Sequence, residues 1–288
     1  MRYGMPYMGS KNQIAKWVIE HLPKKENLYD LFGGGGAITH CACESGKFKH
    51  VIYNEKNELV FNGFDMAIHG KFNNENRWIS REDFNKLKNK DPYVAICFSF
   101  GNNLRCYCYS KQIEKLKKAL HYAICFDDFS LLENLGVKLK RKSSGRIELT
   151  KQVKELLNLN RLEMQNLEAL NRLESLERLQ SLESLERLQS LDYRRVRIKN
   201  NSVIYCDPPY KDTAKYTVDF NHNEFYKWCR KQKELVIISE YTMPDDFICV
   251  AEKEKRVILS DNSLLKTEKL FVPKHQYQMY LDAMVVLK

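Results

Sequence analysis

Four consecutive glycines, Gly33 to Gly36, constrain this chain more than any other feature; the whole sequence has only twelve. Ahead of them residues 27–32 (NLYDLF) have the apolar content and length of a buried strand, and behind them residues 37–44 (AITHCACE) can form a helix. Strand, glycine loop and helix in that order bring backbone close to a nucleotide-like ligand. A second short strand, residues 49–54, follows and ends at the acid Glu55. In doubly wound α/β sheets an acid at the end of the second strand meets a ribose. A solvent-facing loop and a solvated glutamate would explain each piece alone, but the ordered series points to a ligand. Ile38 stands where G-x-G-x-x-G needs its third glycine, which argues against a dinucleotide.

The α/β pattern returns near the other end of the chain. Residues 201–206 (NSVIYC) read as a buried strand running into Asp207, Pro208, Pro209 and Tyr210. A helix is expected over 225–231 and strands over 234–239, 247–250 and 279–287, the last at the sheet's edge. The expected fold is α/β, a Rossmann-like doubly wound sheet built from residues 1–62 and 195–288. Residues 63–194 form a mainly helical insertion.

That insertion carries a long amphipathic stretch with Lys111, Lys115, Lys117 and Lys118, then a basic, turn-rich piece over 138–146 (KLKRKSSGR). The formal net charge of +10 favours a polyanionic partner. Next, LESLERLQS occurs twice in tandem, at 173–181 and 182–190, within a run of leucine at every third position from Leu167 to Leu191. An α-helix turns about 100° per residue, so a period of three walks around its surface. The pairs Glu174/Arg178 and Glu183/Arg187 nevertheless suit a helix, which we expect here in preference to a solenoid-like coil, serving as a spacer without chemistry.

Nine cysteines without a CxxC pair read as reduced thiols, and no metal site is expected. No run approaches the roughly 18–20 apolar residues of a membrane span, and the N-terminal segment lacks the apolar core of a signal peptide. A membrane or secreted protein is not expected.

Two prolines after a strand fix φ and remove two N–H donors, leaving a rigid main chain that presents carbonyl oxygens. Asp207 and the Pro208 carbonyl can hold both hydrogens of an exocyclic amine, and Tyr210 offers a flat face to a planar base. A plain turn with a capping aspartate is the bland alternative, disfavoured by the upstream glycine loop.

DPPY at Asp207–Tyr210 together with DLFGGGGA at Asp30–Ala37 resembles the S-adenosylmethionine-dependent DNA adenine-N6 methyltransferases of the Dam-like, D12 class. Residues 7–11 (YMGSK) are similar to that family's N-terminal cofactor motif, and Glu55 stands where its usual residue is Asp. The resemblance implies that Tyr7, Lys11, Asp30, Phe32, Gly33, Gly35, Glu55 and Asp207 contact S-adenosylmethionine. It implies that Asp207, Pro208, Pro209 and Tyr210 hold a flipped-out adenine of double-stranded DNA, with no metal. The leucine-every-third segment departs from the family's compact recognition domain, which bears on the target sequence and not on the chemistry. Residues 99–109 are the expected reader. Asn102, Asn103, Arg105 and Lys111 would bond bases or phosphates, and Tyr107 and Tyr109 would stack or pack. A polar loop between core pieces is the alternative for that segment. The resemblance further implies a cytoplasmic enzyme of a bacterial or phage-infected cell, a monomer or weak dimer, with a cognate restriction enzyme as an open question. Other readings are amino-methylation of cytosine N4, RNA adenine or a protein glutamine, or a DNA-binding module without catalysis.

Overall fold

The computed structural model describes residues 3–139, 146–156, 168–177, 179, 182, 184–210, 220–259 and 262–285. The chain divides into two compact units, one of Met1–Gly4, Ser10–Phe61 and Ser181–Lys288, the other of Met5–Gly9 and Asn62–Gln180.

Among the described residues the first unit has seven strands: β1 (Asn27–Asp30), β2 (His50–Asn54), β3 (Leu185–Gln189), β4 (Ser202–Cys206), β5 (Leu235–Glu240), β6 (Phe247–Leu259) and β7 (Asn262–Pro273), in the order β3-β2-β1-β4-β5-β7-β6. The first five in that order run parallel; β7 is antiparallel to both β5 and β6. Strands covered on both faces are buried along their length, as β1, β4 and β5 are. Leu28, Val51, Val203, Tyr205, Leu235 and Ile237 join one core with the helices Ala15–His21 and Ala37–Ser45. Tyr29, Ile52, Ile204, Cys206, Val236 and Ile238 join the other with the helix His222–Arg230.

Two sequence expectations fail here for physical reasons. The edge strand expected over 279–287 is instead the helix Tyr277–Val285, with 286 and 287 outside the described residues. Tyr277, Tyr280 and Met284 pack on the core, a spacing of three and then four that belongs to a helix face and not to a strand. The second LESLERLQS copy was expected as helix, but its Leu185–Gln189 is the sheet's edge strand. Its register pairs Leu185 with Val51 and, after a shift between Val51 and Ile52, Leu188 with Tyr53. Leucines three apart would point to opposite faces of a regular strand. One extra residue at the shift returns both to partners on a single face. Residues 178, 180, 181 and 183 of the repeat lie outside the described ones.

The second unit is helical: Arg81–Leu87, Pro92–Cys97, Glu114–Phe126, Ser130–Asn134, Arg146–Leu156 and Glu168–Glu177. Asp91 caps Pro92–Cys97 by accepting from the N–H groups of Tyr93 and Val94, with proline at the position where a helix needs no donor. The last helix holds the first repeat copy's Leu173 and Leu176 in the interior, and Leu179 just beyond it is buried too. No helix among the described residues is long and apolar enough to cross a membrane.

Candidate active site

Asp30, the glycine loop, Asn54, Glu55 and Asp207 all stand at the carboxyl ends of the parallel strands β1, β2 and β4, where open α/β sheets place ligands. Close packing keeps the loop tight. A Cβ on Gly33 would fall inside the Tyr53 ring, and the Tyr53 hydroxyl donates to the Gly34 carbonyl at 2.8 Å. Gly4, which the motif reading missed, has φ +68° and lies so near the Gly35 carbonyl and Ala37 backbone that no side chain fits. Its N–H donates to His40 Nδ1 at 3.0 Å, so Nε2 carries the proton toward Glu44 Oε1, also at 3.0 Å. The buried Asn54 amide donates to the carbonyls of Leu31 and Leu191, tying the end of β1 to the segment after β3.

Two acids flank the loop. Asp30 is buried and accepts from Thr39 Oγ1 at 2.7 Å. Burial pushes its pKa up to about 7; the Thr39 hydrogen bond opposes the rise and the charges of Asp207 and Glu55 add to it. Glu55 accepts from Gly34 N through Oε2 and from Asn57 N through Oε1, each at 2.8 Å. Burial raises its pKa as well, against those backbone bonds. Each carboxylate oxygen keeps a second lone pair for a ligand hydroxyl. Phe32 is half-buried among Tyr193, Phe220 and Phe225.

At the end of β4 the Lys11 ammonium lies 2.8 Å from Asp207 Oδ1 and 4.6 Å from the centroid of the Tyr210 ring. Lys11 is almost wholly buried, whereas the Asp207 side chain keeps 18% exposure, enough to be reached. The Tyr210 hydroxyl bonds Glu268 Oε2 at 2.7 Å and Ser239 Oγ at 2.9 Å, and its ring meets Tyr241 edge-on at 4.8 Å. Pro208 is buried, and the Pro209 carbonyl accepts from His222 Nε2 at 2.9 Å. The backbone of the turn is thus fixed from several sides. Thr39, Ser239, Tyr241 and Glu268 were not anticipated. For Glu268 a signal exists: an acid on the strand face shared with Leu270 and Val272, where an apolar residue belongs.

Tyr7 belongs to the second unit and is half-buried. Within that unit the segment from Phe98 to Cys108 doubles back on itself, with Cys108 N donating to the Phe98 carbonyl at 2.8 Å. Asn103 Oδ1 accepts from the N–H groups of Arg105 and Cys106, which shapes the bend. Asn102 has φ +58°, and its carbonyl accepts from Met8 N. Arg105 and Lys111 are exposed. Tyr107, expected to stack or pack, packs: it is buried, donates to the Ile79 carbonyl at 2.7 Å and lies under Arg81. Tyr109 is buried too, parallel to Trp78. Of the basic run, Lys111, Lys115 and Lys118 face solvent, but Lys117 is on the inner face of its helix. Lys138 is exposed, while 140–145 lie outside the described residues.

The arrangement joins a tight backbone loop flanked by acids to a rigid carbonyl-presenting turn with a carboxylate and an aromatic face. A family model for D12 class N6 adenine-specific DNA methyltransferases matches residues 7–279. No curated protein matches the chain.

Proposed function

The chain belongs to the D12 class N6 adenine-specific DNA methyltransferase family, and from that premise we propose how its own residues carry the reaction. The enzyme methylates the N6 amine of adenine in DNA, which sets aside cytosine, RNA and protein substrates. Methyltransferases of this family use S-adenosylmethionine.

The observation that carries our reading is the Lys11–Asp207–Tyr210 cluster at the end of β4, beside the glycine loop of β1. The donor set fits a cationic cofactor: Asp30 and Glu55 are acids held near one another in a desolvated site, and a positive ligand relieves their repulsion. Asp30, Phe32, Gly33 and Gly35 would hold its methionine portion and Glu55 its ribose, with Tyr7 and Lys11 as further contacts. The bound sulfonium supplies an activated methyl group, so the protein's share is alignment, polarisation and exclusion of water.

With Lys11 on Oδ1, Asp207 offers Oδ2 to one hydrogen of the target amine. The Pro208 carbonyl takes the other. That grip draws electron density onto nitrogen and aims its lone pair, while Tyr210 stacks on the ring. Adenine is inaccessible within a duplex, so the base is flipped out at a cost of roughly a few kcal/mol. Phosphate contacts from Lys111, Lys115 and Lys118 offset it. Asn102, Asn103 and Arg105 form the reading surface, and Tyr107 supports it from the interior. The enzyme acts in the cytoplasm, as a monomer or weak dimer, with a restriction enzyme as its counterpart.

Methyl transfer into unmethylated duplex DNA, with the product base identified by mass, tests the reading. N6-methyladenine formed at a fixed sequence is expected. Any other methylated base, or transfer that persists with the flipped adenine's N6 amine deleted, overturns it.

A further inference from the structure

We propose that Glu268 is a positioning residue for methyl transfer, acting through Tyr210 to hold and polarise the ring on which the target base stacks. The proposal rests on the assignment of Tyr210 as that stacking face. Glu268 lies on β7 and is fully buried, on the strand face it shares with the core residues Leu270 and Val272. A carboxylate in such a place is costly unless hydrogen bonds compensate it, so its partners reveal what it is kept for. One of those partners is the hydroxyl of Tyr210, at 2.7 Å.

The proton count fixes the direction of this contact. A phenol has one proton, and an ionised carboxylate can only accept. Tyr210 therefore donates to Glu268, and its oxygen also lies 2.9 Å from Ser239 Oγ, whose hydroxyl reaches the same carboxylate at 3.5 Å. Burial, with the charges of Asp207 and Glu268, holds the Tyr210 hydroxyl well above its ordinary pKa, so the proton stays on the phenol. The side chain is then pinned at both ends, by the proline-stiffened turn at its Cα and by Glu268 and Ser239 at its tip. Tyr241 sets its edge.

Donation to a carboxylate also pushes electron density back into the ring. The Lys11 ammonium 4.6 Å from the ring centroid already exploits an electron-rich face. An amine that gains positive charge as its bond to the methyl carbon forms is stabilised by the same electron-rich ring. Glu268 thus serves the reaction from β7 without touching the reactants.

The test compares wild type with Glu268→Ala, Glu268→Gln, Tyr210→Phe and the Glu268→Gln/Tyr210→Phe double variant. The readouts are methyl transfer at saturating S-adenosylmethionine, cofactor titration, and melting to confirm folding. Glu268→Ala should lower kcat about 10- to 100-fold, the worth of a hydrogen bond to a charged group, with cofactor Kd changed less than about twofold. Glu268→Gln keeps an acceptor without the charge and should recover only part of that loss, leaving kcat about 3- to 10-fold below wild type. In the Tyr210→Phe background, Glu268→Gln should have almost no further effect on kcat. Equal losses in both backgrounds, or wild-type kcat in folded Glu268→Ala, overturn the proposal. If Glu268→Ala does not fold, the Gln and Phe variants decide by the same coupling. Tyr210→Ala separates the two levels. At wild-type rate it overturns the stacking assignment and this proposal with it, whereas a slow Tyr210→Ala with Glu268 uncoupled overturns the Glu268 role alone.

Discussion

The Asp207–Tyr210 turn and the LESLERLQS repeat are opposite cases of what a short sequence determines. In the turn, two prolines settle the backbone before any neighbour is consulted, and the surroundings only add bonds to it. In the repeat, the same nine residues contribute a helix end in one copy and an edge strand in the other. A period of three matches neither the helix nor the strand. Along a helix it drifts by about 60° per step, so Leu170, Leu173 and Leu176 span about 120°, still one face. Along a strand it alternates sides unless a bulge intervenes, and between Val51 and Ile52 the register shifts. Local propensity is so evenly balanced that packing decides.

The largest effect should come from breaking the locally determined region. Asp207→Ala leaves the turn's backbone intact but removes the acceptor for the amine, and methyl transfer should fall by about 10²–10³-fold or more. Tritiated-methyl incorporation measures it, with circular dichroism confirming the fold. Transfer at wild-type rate would place the chemistry elsewhere.

Leu176 and Leu185 occupy the same position of the repeat, so truncating each sharpens the contrast. Leu176 is fully buried and Leu185 is half-buried at the sheet's edge. Urea unfolding should show Leu176→Ala losing about 2–5 kcal/mol and Leu185→Ala distinctly less. Equal losses would mean that the two environments do not differ energetically. Removing one whole copy gives the same chain whichever is removed. It should destabilise the protein, because one nonapeptide must then fill both the helix end and the strand.

A smaller effect is expected at Asp30, beside the glycine loop. Asp30 titrates near 7, so below that pH it is neutral and above it anionic. A cationic cofactor binds the anion. S-adenosylmethionine affinity should therefore improve by about tenfold between pH 6 and pH 8, and Asp30→Asn should flatten the profile. Stability runs the other way. The unfolded state releases this proton near 3.8, so Asp30's contribution to stability declines as pH rises from there to about 7. Calorimetric titration across this range checks the first claim, and thermal melts of wild type against Asp30→Asn check the second.

The smallest effect concerns two lysines of one basic run. Lys111→Ala should weaken duplex binding a few-fold and reduce the slope of log K against log salt by about 1. Lys117→Ala, inside its helix, should leave that slope unchanged. A slope lowered equally by both would contradict their different exposure.

These contrasts also explain what was legible in the sequence. The strand–glycine–helix series and the DPPY turn are readable because glycine and proline act on their own backbone. Asn27–Asp30, Ser202–Cys206 and Leu235–Glu240 are readable because strands covered on both faces stand out as short, mainly apolar runs. Thr39, Ser239 and Glu268 are ordinary letters whose meaning depends on partners distant in sequence. Tyr107 is ambiguous in a polar stretch, since only tertiary structure tells a buried brace from an exposed ring. The apolar run that begins at Ala283 has no polar residue to reveal a period, so the helix Tyr277–Val285 emerges only from the spacing of Tyr277, Tyr280 and Met284.

The sheet order has a consequence for the chain during its synthesis. β1 lies between β2 and β4, yet the ribosome makes β1 and β2 early and β4 only after the whole helical unit. At about 5–20 residues per second the gap lasts roughly ten to thirty seconds, during which one side of β1 has no neighbour. The nascent protein spends that interval with an unsatisfied strand edge and an apolar face, the condition in which chaperones are engaged. Lys11 is made before β1 and its acid Asp207 only after β4, so a chain terminated between them would have a glycine loop but no means of holding the amine.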